Sequence, residues 1–224
     1  MIVEAKDLTV GYGSKEVLSG INFGIAEGDF VAIVGENGAG KSTLMKTVIG
    51  LQKPMRGKLE IREDVVRNGI GYLPQQTDIQ KDFPATVYEI VSTGLIKKRT
   101  LFKPFISKGD KEKIRKALNT VQMTEKAKVR YSELSGGQQQ RVLIARAMCA
   151  TKSLLIMDEP NAGLDSEATE ALYKTLAKLN NEGITIIVVT HDMSNLEKFC
   201  THVVKIRSNV CEYLSIAEWK ARHL

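Results

Sequence analysis

Several protein classes are argued against by what this 224-residue sequence lacks. No apolar run approaches the roughly 18–20 residues of a membrane-spanning helix. The longest strand-like runs are Ile184–Val189 and Leu154–Met157. The opening MIVEAKDLTV has no basic segment followed by an apolar one, so neither a signal peptide nor export from the cytosol is expected. Cys149, Cys200 and Cys211 are odd in number and form no C-x-x-C pair, which argues against a disulfide framework and against a zinc site. They read as buried or half-buried thiols. His191, His202 and His223 are too scattered to pattern as metal ligands. Proline is scarce, at 5 residues beside 18 glycines, while 43% of the chain is hydrophobic. That apolar content rules out general disorder and suits one large α/β domain, or a domain with an inserted subdomain.

The charge is unevenly placed. The chain carries 32 Lys and Arg against 26 Asp and Glu, a net +6. Between Lys97 and Arg130 stand twelve basic and three acidic residues, so this tract is +9 and the remainder −3. A solvated helical face is one reading, and a surface turned toward anionic lipid or an acidic partner is another. Nucleic acid is not expected as a partner, because the tract offers only Phe102 and Phe105 for stacking and no recognition motif.

The order of patterns describes an α/β chain without internal repeats. Ile21–Ile25 alternates apolar and polar residues as a half-buried antiparallel strand does, and Leu59–Ile61 is of the same kind. Val31–Val34, Ile70–Leu73, Leu154–Met157 and Thr185–Val189 read as buried strands of a parallel sheet, each followed by polar or glycine residues. Ligands of such sheets gather at the carboxyl ends of the strands. Thr86–Glu89 fits a capping box, followed by an apolar face of Val87, Ile90 and Val91. Ile114, Ala117, Leu118 and Val121 repeat the helical spacing, whereas Lys97–Asp110, with Pro104 and Gly109, reads as a loop. The expected organisation is one domain. Residues 1–75 and 150–224 make the α/β core with its antiparallel part, and residues 76–149 make an inserted helical subdomain.

Three segments carry chemistry. Gly35-Glu36-Asn37-Gly38-Ala39-Gly40-Lys41-Ser42 matches G-x-x-x-x-G-K-[ST] between a buried strand and a helix. Its glycines let backbone N–H groups converge on phosphate oxygens, Lys41 supplies a point charge, and the Ser42 hydroxyl is placed for Mg²⁺. Leu154–Pro160 ends a buried strand in Asp158, a second carboxylate for Mg²⁺, and Glu159, which can orient or deprotonate water. Leu134-Ser135-Gly136-Gly137-Gln138 opens a helix; Ser135 can serve as its cap, and the Ser-Gly-Gly start also makes an anion-binding nest. That nest has no lysine and no nucleotide pocket of its own, so a second copy of the chain is the simplest source of the other half.

Together these residues resemble the ATP-binding cassette (ABC) ATPases, with Leu134–Gln138 as their signature motif and the family's motif order along essentially the whole chain. The resemblance implies a P-loop core with a mainly parallel sheet, an antiparallel β subdomain and an inserted helical subdomain. It also implies two cassettes sandwiching two ATP, each between Gly35–Thr43 of one chain and Ser135–Gln138 of the other. Further positions match: Tyr12 as the adenine-stacking aromatic, Gln75 as the glutamine that contacts Mg²⁺ and the attacking water, Asp165 as the dimer-contact aspartate and His191 as the γ-phosphate histidine. Core packing for Tyr12, helix capping for Asp165 and a structural role for His191 are the local alternatives. Asn161 departs from the family's common threonine, while every hydrolytic residue is present.

The chain has one motif set and no fused span, like a stand-alone ATPase subunit docked on a separate permease at the cytoplasmic face of the membrane. Gly71–Gln76 with Phe83–Glu89 is similar to subunits of bacterial zinc and manganese uptake systems, which implies an extracytoplasmic substrate-binding protein working through the permease. ATPases of other transporters, or of translation and DNA repair, are the alternative.

Overall fold

The computed structural model describes residues 1–75, 84–95, 106–191, 193–194, 196–207 and 209–223. Strands β1 (Val3–Tyr12) and β2 (Lys15–Ile25) form an antiparallel pair, and β3 (Phe30–Gly35) leads through the glycine-rich loop into α1 (Lys41–Val48). Strand β4 (Arg56–Ile61) returns to β1, followed by α2 (Glu63–Asn68) and β5 (Ile70–Leu73). Among the described residues, the α-helices that come next are α3 (Val87–Thr93), α4 (Lys108–Thr120) and α5 (Gly136–Ala150). The chain ends with β6 (Leu154–Asp158), α6 (Ser166–Asn181), β7 (Thr185–Thr190), β8 (His202–Arg207), β9 (Val210–Ser215) and α7 (Ile216–His223).

The strands sort into a three-stranded antiparallel sheet, β2-β1-β4, and a six-stranded sheet, β5-β6-β7-β3-β8-β9. All neighbours in the larger sheet are parallel except β8 and β9. The expected mainly parallel core with an antiparallel part is therefore borne out. Its central strands are apolar on both faces because each face has its own core. Val31, Ile33, Ile187 and Val189 pack with Leu44 and Met45 of α1 and with Leu8, Ile21 and Phe23 of the small sheet. The alternate residues Ala32, Val34 and Val188 face the second core, with Leu172 and Leu176 of α6 and Val142 and Ile144 of α5.

Helix α3 begins at the expected capping box: the Thr86 side chain accepts from the Glu89 N–H, and the Glu89 carboxylate accepts from the Thr86 N–H. Val87, Ile90 and Val91 are buried, as are Ile114, Ala117, Leu118 and Val121. Gly94 lets α3 approach α5 closely, since a Cβ there would stand 2.1 Å from the Arg146 carbonyl oxygen. One expectation is corrected. The stretch read as a loop through Asp110 is already helical from Lys108, because Ser107 and Asp110 form a second capping box. Gly109 suggested a break, but a glycine in a capped first turn does not outweigh two satisfied orphan donors. Lys97 to Phe105 lie outside the described residues.

Tyr131 joins the segment before α3 to the helix after it. Its N–H donates to the Ala85 carbonyl at 2.8 Å, and its own carbonyl accepts from the Gln139 side-chain amide at 3.1 Å. Its ring is 1% exposed, and its hydroxyl has no hydrogen-bond partner among the described residues. Burial pushes that phenol up to about 12. An unsatisfied buried hydroxyl costs roughly 1–3 kcal/mol. Tyr131→Phe is therefore expected to leave the urea midpoint unchanged or raised, whereas Tyr131→Ala should lose about 3–5 kcal/mol. A phenylalanine variant less stable than the parent would show that the hydroxyl is bonded.

Candidate functional site

Strand register places the chemistry. Asp158 pairs beside Val189, Thr190 beside Val34, and Leu73 beside Met157, so β3, β5, β6 and β7 end at one level. The residues that follow these ends are the loop from Gly35, then Gln75, Glu159 and His191. A cavity of about 460 Å³ there is lined by Tyr12, Asn37, Gly38, Gly40, Lys41, Ser42, Thr43, Gln75, Asp158 and Glu159. Ten of the residues singled out in the sequence thus share one space.

The loop owes its curl to glycine. Gly38 and Gly40 have φ of 81° and 99°, and a Cβ on Gly40 would meet Val17 at 2.7 Å and Leu18 at 2.9 Å. Helix α1 starts at Gly40 with no side-chain cap and no acidic residue in its first turn, so its leading N–H groups point outward as an anion site. The Lys41 ammonium is folded over the loop, donating to the carbonyls of Gly35 at 2.7 Å and Glu36 at 2.9 Å. Ser42 Oγ donates to Asp158 Oδ2 at 3.2 Å. A hydroxyl and a carboxylate at this spacing are the hard oxygen donors that suit Mg²⁺. Asp158 is buried, and burial pushes its carboxyl above the usual range; Glu159 pushes in the same direction, against the Ser42 hydrogen bond and the Lys41 and Lys46 charges.

Glu159 is held at three points. Its N–H donates to the Val189 carbonyl at 2.9 Å, which fixes a left-handed φ of 47° that costs a non-glycine residue roughly 1–2 kcal/mol. Gln75 Nε2 donates to Oε2 at 3.3 Å, and His191 Nδ1 lies 3.2 Å from Oε1. The His191 side chain is 59% exposed and that of Glu159 16%, so the carboxylate is sheltered and the imidazole reachable.

Ser135, Gly136, Gly137 and Gln138 open α5 away from this cavity and do not line it. Ser135 caps α5 in a capping box with Gln138, whose Oε1 also accepts from Lys126 Nζ at 3.2 Å. A Cβ on Gly136 would meet nothing within 4 Å, so this glycine faces open space, whereas one on Gly137 would touch the Leu164 side chain at 3.4 Å. Asp165 also lies outside the cavity and caps α6, accepting from the Ala168 N–H at 2.7 Å. Two residues escaped the sequence reading. Gln140 donates to the Pro160 carbonyl at 2.6 Å, tying the signature helix to the turn after Glu159. Lys46 stands over the Tyr12 ring, 5.8 Å from its centroid. Neither sits at a motif position, so no spacing marked them.

The family model for ABC transporters matches residues 18–162. The zinc uptake system ATP-binding protein ZurA of Listeria monocytogenes is 40% identical over 218 residues, covering 93% of this chain and 84% of that protein. The manganese transport system ATP-binding protein MntB of Bacillus subtilis is 41% identical over 200 residues, covering 88% and 80%. Among solved structures, cbiO1 of Clostridium perfringens, part of the ABC transporter complex cbiONQ, superposes with a TM-score of 0.84 at 30% identity, covering 99% and 91%. The dimeric bacterial ABC transporter cassette MJ0796 gives 0.79 at 30% identity, covering 96% and 98%.

The buried carboxylate yields a prediction. Because the folded-state pKa of Asp158 is raised, the native chain binds that proton more tightly than the unfolded chain does. Stability contributed at this site falls as pH rises from the ordinary carboxylate range through the raised value. Asp158→Asn is expected to raise the melting temperature of the nucleotide-free, metal-free protein at neutral pH. The difference should shrink toward pH 4, and ATP hydrolysis should be lost. A neutral variant that melts below the parent at pH 7 would refute the burial argument.

Proposed function

Since the chain belongs to the ABC transporter family of ATP-hydrolysing subunits, we propose that its site hydrolyses Mg²⁺-bound ATP to drive divalent metal import through a separate membrane permease. The observation that carries the catalytic part is Glu159, bracketed by Gln75 and His191 beside the Lys41 loop. When bound by Ser42 and Asp158, Mg²⁺ would neutralise charge on the phosphate oxygens. Backbone N–H groups of Gly38 to Ser42 hold the phosphates, and Lys41 leaves its carbonyl partners to donate to them. Glu159 orients a water and accepts its proton; Gln75 and His191 fix the direction in which its carboxylate points. His191, exposed at the rim, also reaches the transferring phosphoryl, whose spreading charge it stabilises with Lys41.

The start of α5 supplies the other half of the site across a two-fold axis. Its Gly136 and Gly137 N–H groups serve the partner's nucleotide, and Asp165 lies at the contact. Closing two copies on ATP and reopening them after hydrolysis converts chemistry to motion by differential affinity. A zinc or manganese cargo is supported by the names of the relatives at 40% and 41% identity. Selectivity then belongs to the permease and to a substrate-binding protein, for no cluster of three metal-ligating side chains occurs among the described residues. No helix of the described residues is long and apolar enough to cross a membrane, in keeping with a peripheral subunit on the cytoplasmic face.

Glu159→Gln tests the catalytic and the dimer arguments together. Hydrolysis is expected to fall about 10²–10⁴-fold while ATP binding persists, and the protein should elute as a dimer with ATP and Mg²⁺. Adding Ser135→Arg should return it to a monomer that still binds ATP. A Glu159→Gln protein that stays monomeric at saturating ATP would sink the sandwich. For the cargo, cells lacking the gene should accumulate less zinc or manganese, and expression of Lys41→Ala should not restore it.

A further inference from the structure

The Tyr12 ring is a partition between two depressions. One is the phosphate-loop cavity, and the other is an open depression of about 700 Å³ whose lining includes Gly11, Gly13, Lys46, Gln52 and Met55. Lys46 lines the second depression and not the first. The ring is half exposed, yet it is fixed from several sides. Its hydroxyl accepts from Thr43 Oγ1 at 3.1 Å, and the Lys46 ammonium stands 5.8 Å from the ring centroid. The Gln52 amide meanwhile donates to the carbonyl of Gly11, the residue before the tyrosine. An exposed aromatic needs no such bracing for the sake of the core.

We infer that Lys46 is a positioning residue for the nucleobase, backing Tyr12 on the face away from the phosphate loop so that the opposite face takes the purine. The inference rests on the nucleotide reading above. The ammonium draws π density toward itself, and the ring's far face then meets a base cloud with less repulsion. The same contact, together with the Thr43 hydroxyl, holds the ring in one orientation before the base arrives, which lowers the ordering cost of binding. Lys46 is therefore expected to act on the base of the nucleotide and not on its phosphates. It also lies in the last turn of α1, where a cation suits the helix dipole, and its charge is felt at Asp158; both are competing structural roles.

The test compares a ligand that has a base with one that has none. ATP and inorganic triphosphate are titrated, with Mg²⁺, into the full-length protein, Lys46→Met, Lys46→Arg, Tyr12→Ala and the Tyr12→Ala/Lys46→Met double variant. Lys46→Met should weaken ATP roughly two- to five-fold while inorganic triphosphate changes by less than about 1.5-fold, and Lys46→Arg should bind as the parent does. In the Tyr12→Ala background, removing the lysine should cost nothing further. Equal losses for ATP and triphosphate, or full additivity in the double variant, would overturn the inference and leave Lys46 a field charge or a helix-end residue. A parent protein that bound neither ligand would overturn the nucleotide reading itself.

Discussion

The hydrogen bond from the Glu159 N–H to the Val189 carbonyl, 2.9 Å long, is the constraint on which the site depends. It continues the β6–β7 ladder one residue past the strand end and turns the chain sharply at the point where a carboxylate is needed. The register beneath it sets Asp158 beside Val189 and Thr190 beside Val34, so the glycine-rich loop, the two carboxylates and His191 leave the sheet at one height. A one-residue slip in any of these pairings would send every side chain of that strand to the opposite face, exchanging the two cores. Both cores are apolar and filled, so packing on each side of the sheet locks the arrangement of the polar groups at its edge.

Unfavourable terms gather at that edge. Glu159 adopts a left-handed backbone, Asp158 is a carboxylate buried beside another carboxylate, and α1 begins without a cap. Each costs free energy in the chain by itself, and in the proposed function the last two would be relieved by a ligand of matching charge: phosphate at the helix start, a hard cation at the carboxylate. Strain and buried charge at a cavity wall mark function more firmly than they mark stability. By contrast, α3, α4, α5 and α6 all begin with a side-chain cap, so donors at their starts are satisfied within the chain.

What was legible in the sequence follows from this physics. The phosphate loop could be read because backbone geometry there demands glycine at fixed intervals, and the buried strands because a sheet covered on both faces makes continuous apolar runs. The capping box at Thr86 was legible for the same reason: two side chains and two N–H groups define it locally. The start of α4 is less legible, because Gly109 is a strong local signal for a break and conceals the box that Ser107 and Asp110 form around it. The strands β8 and β9 were not anticipated. Both strands place side chains in each of the two cores, Val203 and Leu214 in one and Val204 and Ile206 in the other, and polar residues such as Lys205 and Glu212 interrupt their apolar runs, so only tertiary pairing reveals them. Gln140 and Lys46 were invisible because their roles arise from contacts between elements far apart in the chain: Gln140 to Pro160, Lys46 to Tyr12.

The contrast between two helix starts carries the argument one step further. Helix α1 starts at a cavity of its own chain, lined by Lys41, Ser42 and Asp158, where the proposed ligand would sit. Helix α5 is self-sufficient: Ser135 and Gln138 satisfy orphan donors, so Gly136 can face solvent at no great cost. In the proposed sandwich, a chain built this way would gain little from association until a phosphate stood between the two kinds of helix start. The nucleotide would then supply the anion that makes the glycine start of α5 worth burying. The Gln140–Pro160 hydrogen bond ties that same helix to the turn beside Glu159. In the proposed sandwich, movement of the signature helix toward a partner's nucleotide is thereby felt at the chain's own catalytic carboxylate, so neither site closes without bearing on the other.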